Sequence, residues 1–291
     1  MTTAGGMPTN AALAAARWTI LGGQGFVGQA LVERLQAVGA TVTVPTRQDT
    51  SWLRQDLGHV IYAIGRTADF RGRPHDTLEA HVGLLSQLLR DGRFDSLLYL
   101  SSTRVYQGVP QDREQGTETA DLIVNPNSPD DLYNLSKLLG ESLCLNDTRP
   151  DARQMVRVAR LSNVYGRNLP ASFLRSLIEA ARADCPLTLQ DHPQTRKDYI
   201  ALADVVNLLP AIALNGGDRL YNVASGQATS HADVIAAIHH FWPEWLCHTD
   251  PSAPLRHYPT IDIARIKTAF NFHATPFEQG FLSLLASLME G

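Results

Sequence analysis

Apolar residues in the first half of the chain alternate between two periods. "WTILGG" (18–23) is a short apolar run closed by two glycines, and "FVGQALVERLQAVG" (26–39) carries Phe26, Leu31, Leu35 and Val38 at helical spacing. "TVTV" (41–44) alternates and "HVIYAIG" (59–65) is apolar again, while "TLEAHVGLLSQLLRDG" (77–92) reads as one amphipathic helix closed by Gly92. "SLLYLSS" (96–102), "LYNLSKLLGESLCL" (132–145) and "QMVRVARLSNVYG" (154–166) follow as strand, helix and strand-into-loop. Apolar strands separated by helices predict an α/β fold with a doubly wound parallel sheet covered on both faces.

The second half is less regular. Helices are predicted at 171–183, 202–213, 229–242 (capped by Thr229 or Ser230), 262–270 after Asp262 and 276–289 after Thr275-Pro276. "PNSPDD" and "DPSAP" read as surface loops. The division expected is a loose, disordered tail at 1–16 and a dinucleotide-binding domain at 17–165 to which 199–225 returns. Residues 166–198 and 226–291 then form a smaller mixed α/β substrate-binding portion.

Bulk composition narrows the classes. The 291 residues are 44% hydrophobic with mixed charges, as in a folded enzyme rather than a disordered chain. A net charge of −4 gives no general reason to bind nucleic acid or acidic membrane, and no run approaches the ~20 apolar residues of a membrane span. The N-terminus lacks the basic region of a signal peptide. Cys144, Cys185 and Cys247 form no CxxC pair and read as reduced thiols of a cytoplasmic protein. The histidines, His239-His240 included, show no metal-ligand spacing, so no metal is expected.

Candidate chemistry begins at "LGGQGFVG". Gly22, Gly25 and Gly28 stand between a strand and a helix, where a diphosphate can approach bare backbone at a helix N-terminus. Gly22, Gly25, Phe26, Val27 and Gly28 are therefore the predicted cofactor cradle. The second strand ends in "VPTRQ", with no acid to bind ribose hydroxyls but with Thr46 and Arg47, and a guanidinium suits a 2′-phosphate. NADP(H) is the expected cofactor, with NAD(H) as the alternative.

The chain has 22 arginines and only three lysines, one of them four places after Tyr133 in "YNLSK". Residues four apart share a helix face, so Tyr133 and Lys137 can share one cavity. A phenol has a pKa of about 10, and an ammonium about 4 Å away is worth ~4 kcal/mol at a dielectric near 20, enough to lower it by about three units. Upstream, "YLSSTRVY" ends an apolar strand where a serine hydroxyl can bond a substrate carbonyl.

In order, the glycine turn, "SSTRVY", "YNLSK", "RLSNVYG", "RKDYIALADVV" and "YNVASG" resemble the extended short-chain dehydrogenases/reductases, especially their nucleotide-sugar epimerase/dehydratase branch, over about residues 17–275. The resemblance implies a Rossmann-like fold. It makes Tyr133 the proton-transferring phenol, Lys137 its pKa-lowering and ribose-binding partner, and Ser102 the hydroxyl on the reacting oxygen. Thr103, next to Ser102, joins the expected substrate contacts. Asn163 and the basic pair Arg196-Lys197 would lie near a substrate diphosphate. Arg256 resembles a late arginine of that site, although its distance to Asp262 is shorter than usual. A homodimer through helices 77–90 and 131–146 is also implied.

Departures refine this picture. The dehydratases carry Asp-Glu after the strand-end Ser or Thr, where this chain has Thr103-Arg104, which argues against dehydration. The stretch after Arg47 is too short for the usual additional strand, so Asp56-Leu57 is expected in a helix, and His81-Val82 replaces the usual Asn-Val. The expectation is an NADP(H)-dependent reductase acting on a keto group, C4, of a nucleotide-activated sugar. An NAD-dependent 4-epimerase and a non-catalytic NADP(H)-binding sensor or scaffold are the alternatives.

Overall fold

The computed structural model describes residues 5–46, 51–67, 69–109, 115–148 and 155–290. Six strands, β1 (Arg17–Leu21), β2 (Thr41–Thr43), β3 (His59–Tyr62), β4 (Ser96–Ser102), β6 (Met155–Leu161) and β10 (Leu220–Val223), form one sheet in the order β10-β6-β4-β3-β1-β2. Every neighbouring pair is parallel. Ile20, Val60, Ile61, Leu97 and Leu98 are fully buried, as expected where helices cover both faces. One face packs on α2 (Phe26–Ala37) and α7 (Leu202–Asn215) through Leu31, Leu35, Leu208 and Ile212. The other is covered by α4 (Leu84–Asp91) and α5 (Asp131–Leu145), with Leu85, Leu88 and Cys144 inward. The strand order reverses between β1 and β3, which opens a crevice beyond their carboxyl ends.

Ser162 alone separates β6 from β7 (Asn163–Tyr165), which pairs with β9 (Arg196–Ala201) and, through it, β11 (Ala228–Ser230) in a second, three-stranded sheet. Tyr165, Leu177, Val234 and Phe281 join this sheet to α6 (Phe173–Arg182), α8 (His231–His239) and α10 (Phe277–Met289) in a separate core. Ser230 caps α8 in a capping box with Asp233. Two small parallel pairs, β8 (Leu187–Thr188) with β12 (Cys247–His248) and β5 (Gln115–Gly116) with β13 (Thr260–Ile261), and helix α9 (Ala264–Phe270), complete this region.

Three expectations need correction. Residues 10–15 are not a loose tail. They form α1 (Asn10–Ala15), capped by Thr9, with Leu13 in the main core and its carbonyl accepting the Trp18 Nε1–H at 3.1 Å. Alanine-rich sequence favours a helix once one leucine has an apolar surface to bury against. The 77–92 segment is not one regular helix but α3 (Pro74–Leu78), a single π turn at Glu79–Gly83, and α4. Asp56-Leu57 is not helical. A 3-10 turn ends at Arg54, and Asp56 bridges to Arg93 and pairs with Arg17 at 2.6 Å.

Candidate active site

After β1 the chain turns through Gly22 at φ +86°, and the Gly25 N–H closes the turn on the Gly22 carbonyl at 2.9 Å. A Cβ on Gly28 would stand 2.1 Å from that same carbonyl oxygen, so only glycine lets the first turn of α2 lie against the loop. The bare turn and the free amides of α2 are what an anionic diphosphate requires, so these residues fit a dinucleotide. Gly25, Phe26, Val27 and Gly28 line one cleft together with Ser102, Tyr133, Lys137 and Asn163. Gly22 and Thr46 line the adjoining cavity with Trp52, Arg66, Asp69 and Glu79. Arg47 lies outside the described residues.

Helix α5 carries Tyr133 and Lys137 one turn apart, 5% and 3% exposed. Burial pushes the Tyr133 phenol up, while a hydrogen bond from Ser102 and the positive charge of Arg104 pull it back. The expected tuning of Tyr133 by Lys137 is not the arrangement found. Lys137 Nζ instead donates to the Leu100 carbonyl at 2.9 Å, and burial lowers its own pKa to about 7 against the pull of Glu141. The guanidinium facing the phenol belongs to Arg104, its Cζ 5.5 Å from the Tyr133 ring centre and 5.2 Å from that of Phe70.

The π turn places His81 beneath this floor. Its Nε2 accepts the Arg66 N–H at 3.2 Å, which leaves Nδ1 to donate to Ser136 Oγ at 2.8 Å, and Ser136 in turn donates to the Tyr133 carbonyl at 2.9 Å. Burial first, then the Lys137 charge, push His81 down to about 2, so it is neutral and ties the loop bearing Arg66 to α5. Deeper still, Arg160 clasps Glu141 with Nε and Nη2, Ser101 donates to the same carboxylate, and Arg160 Nη1 donates to Tyr106, whose hydroxyl donates to Asn222. This network fixes the ends of β4, β6 and β10 under the cleft.

On the outer side, Thr103, Arg104, Asn163, Lys197, Asp198 and Tyr258 wall a chamber that meets Ser102 and Tyr133. Asn163 Nδ2 donates to the Asp198 carbonyl at 2.8 Å, and Lys197 Nζ sits 5.3 Å from the rings of both Phe173 and Tyr258. Strand alternation separates the basic pair. Arg196 is exposed and donates to the Ala228 carbonyl at 3.1 Å, away from the chamber. Arg256 stands at the rim, held by Asp191 at 2.6 Å. Phe70, Tyr258 and the Glu141–Arg160 pair were not singled out from sequence. An arginine inside the apolar strand "VRVARL" was the one legible signal, since such a residue needs a buried partner. Among the described residues no cluster of His, Cys, Asp and Glu could hold a metal ion.

The model of the NAD dependent epimerase/dehydratase family matches residues 18–224. UDP-glucuronic acid decarboxylase 2 of Arabidopsis thaliana is 26% identical over 233 residues, 70% of this chain and 52% of that protein. UDP-glucuronic acid decarboxylase 1 of Xenopus tropicalis is 26% identical over 243 residues, 74% and 57% of the two chains. The chain thus spans about half the length of the relatives it matches. Among solved structures, MoeE5 in complex with UDP-glucuronic acid and NAD superposes with a TM-score of 0.77 at 21% identity, covering 94% of this chain and 99% of its own. RMD from Pseudomonas aeruginosa complexed with NADPH gives 0.74 at 24% identity, covering 95% and 100%. At these identities the likeness establishes the fold.

Proposed function

The chain belongs to the NAD-dependent epimerase/dehydratase family, and from that membership we propose an NADP(H)-dependent oxidoreductase that reduces the C4 keto group of a nucleotide-activated sugar. The observation that carries this reading is the convergence of Ser102, Tyr133 and Lys137 on the cleft that the glycine turn opens. The dinucleotide, when bound, supplies hydride exchange with the sugar carbon. Ser102 holds the reacting oxygen by its hydroxyl, and Tyr133 gives that oxygen its proton, or takes it in the reverse direction. Lys137, on the same wall, orients the cofactor ribose. Asn163, Thr103 and Lys197 hold the sugar and its diphosphate, with Arg256 at the rim; Arg196 has no part in it. Thr46, in the adjoining cavity, supports the phosphorylated cofactor together with its neighbour Arg47 in the sequence.

One observation favours a second reading, an NAD-dependent 4-epimerase. Glu79 and Asp69 line the cavity that holds Thr46, and a carboxylate there accepts ribose hydroxyls and repels a 2′-phosphate. The two readings separate when purified protein is incubated with nucleotide-linked 4-keto and 4-hydroxy sugars while NADPH absorbance and products are followed together. Stoichiometric NADPH loss supports the reductase. Interconversion of stereoisomers on retained NAD, with no net NADPH loss, supports the epimerase. Turnover that survives Tyr133→Phe, expected to fall ~10²–10⁴-fold, would sink both.

We also propose a homodimer through the segment 77–90 and helix α5, where Leu78 and Leu139 are 46% and 47% exposed. The three unpaired cysteines accord with a cytoplasmic setting.

A further inference from the structure

Several segments close around the Tyr133 ring. Its own helix supplies Ser136 and Lys137, the π turn His81, the end of β4 Ser102 and Arg104, and the loop after β3 Phe70 with Arg71. Ser102 hydrogen-bonds the phenol, and the neutral His81 meets the ring edge-on at 5.3 Å between centres. Lys197 of β9 lines the same outer chamber, its Nζ held 5.3 Å from the Phe173 and Tyr258 rings. Lys137 is turned into the sheet, where its Nζ donates to the Leu100 carbonyl at 2.9 Å and stands 4.9 Å from the Tyr99 ring centre.

Arg104 is placed differently. Its Cζ lies 5.5 Å from the Tyr133 ring centre and 5.2 Å from that of Phe70, and the two rings are 5.5 Å apart, so one guanidinium bridges the pair. Its Nη2 donates to the Asp130 carbonyl at 3.3 Å, which ties it to the start of α5. The Asp130 carboxylate is turned to Arg71 at 2.5 Å, and Arg71 lies 4.6 Å from the Phe70 ring centre. The Arg104 charge is thus fixed in direction and faces the phenol.

A cation fixed beside a buried phenol favours its ionised form, whichever residue carries the charge. A unit charge ~6 Å from a phenolate lowers the pKa by about two units at an effective dielectric near 20, and by less where water reaches between them. We propose that Arg104 is a positioning residue for the proton transfer, its guanidinium stabilising the charge on the Tyr133 oxygen that Lys137, turned toward Leu100, does not face; this rests on Tyr133 as the proton-transferring group of the reading above. In the reducing direction the phenol O–H gives its proton to the sugar oxygen, and the phenolate left behind lies beside Arg104. In the reverse direction that phenolate takes the proton back. The Lys137 ammonium is left to the cofactor ribose.

The test needs neither sugar nor dinucleotide. With 2,3,5-trifluorotyrosine placed at position 133 of the full chain, fluorine brings the phenol's titration down toward neutral pH, and its fluorine resonances are followed against pH. Arg104→Gln should raise the midpoint by about one pH unit or more, and Arg104→Lys, which keeps the charge, by less than half as much. Lys137→Gln should move it less than Arg104→Gln does. Arg104→Met repeats the neutralisation with a different shape and supplies the same comparison should the glutamine variant not fold. The assignment to Arg104 is overturned if the neutral variants leave the midpoint within ~0.2 pH units of the parent, or if Lys137→Gln moves it as far or further. Absence of turnover with every nucleotide sugar would sink the functional reading while leaving this midpoint comparison untouched, so the two failures are told apart.

Discussion

Arg160 clasps Glu141 through three contacts of 2.6 to 3.1 Å in the buried floor of the cleft, both side chains almost wholly removed from water. Removing one partner strands the other charge, so Arg160→Met alone should cost ~3–5 kcal/mol of stability, read as a lower urea midpoint. Replacing both, as Arg160→Met with Glu141→Leu, should recover most of that loss. A single variant as stable as the parent would show that the pair is dispensable.

Lys137 has a folded pKa of about 7 against its ordinary 10.5. Below pH 7 the folded protein must hold a buried ammonium, a penalty that eases as pH climbs from about 7 to 10.5, because over that window the unfolded chain binds the extra proton. Lys137→Met abolishes this dependence. The melting-temperature difference, variant minus parent, should therefore be most favourable to the variant near pH 6 and shrink by roughly 2–5 °C toward pH 10. A flat or rising difference contradicts a depressed lysine.

Gly28→Ala should damage cofactor binding first. The added methyl falls 2.1 Å from the Gly22 carbonyl oxygen, and only a shift of the turn or of α2 can relieve it. Affinity for NADPH and NADH, followed by fluorescence titration, should drop at least ~tenfold, with ~1–3 kcal/mol lost from the fold. Unchanged affinity would mean that the turn does not face the diphosphate.

His81→Ala should remove the acceptor of the Arg66 N–H and the donor to Ser136 together, at a cost of ~2–4 kcal/mol. Because burial keeps the folded His81 neutral down to about pH 2 while the unfolded imidazole takes up a proton below about 6.5, this loss should be full at pH 8 and smaller at pH 5 in chemical denaturation. A loss equal at both pH values, or larger at pH 5, would mean that the imidazole is not held neutral in the fold.

Much of this architecture was legible because its signals are local. Strand and helix periods placed the starts of β1, β3 and β4 within a residue, and the glycine spacing marked a turn where a Cβ cannot fit. Side-chain partnerships were not legible. Tyr133 and Lys137 do share a helix face, but whether an ammonium points at a phenol or at the Leu100 carbonyl depends on where β4 ends, which spacing on α5 does not encode. The π turn escaped for a related reason. A single extra residue leaves the hydrophobic stripe almost intact while rotating His81 into the protein. Arg104 could be flagged only as an unusual residue after Thr103; its stacking on Phe70 arises from a loop far away in the chain.

The lone residue between β6 and β7 has a mechanical consequence. With Ser162 tied by its N–H to Val223 at 3.0 Å, a rail of backbone runs from the central sheet straight into the wall bearing Asn163. The two halves of the molecule are thus welded at that point instead of hinged. Any adjustment to a larger or smaller guest must come from rotamers and from the helices behind them, and evolution of new selectivity in this scaffold would proceed by exchanging side chains on a fixed gauge.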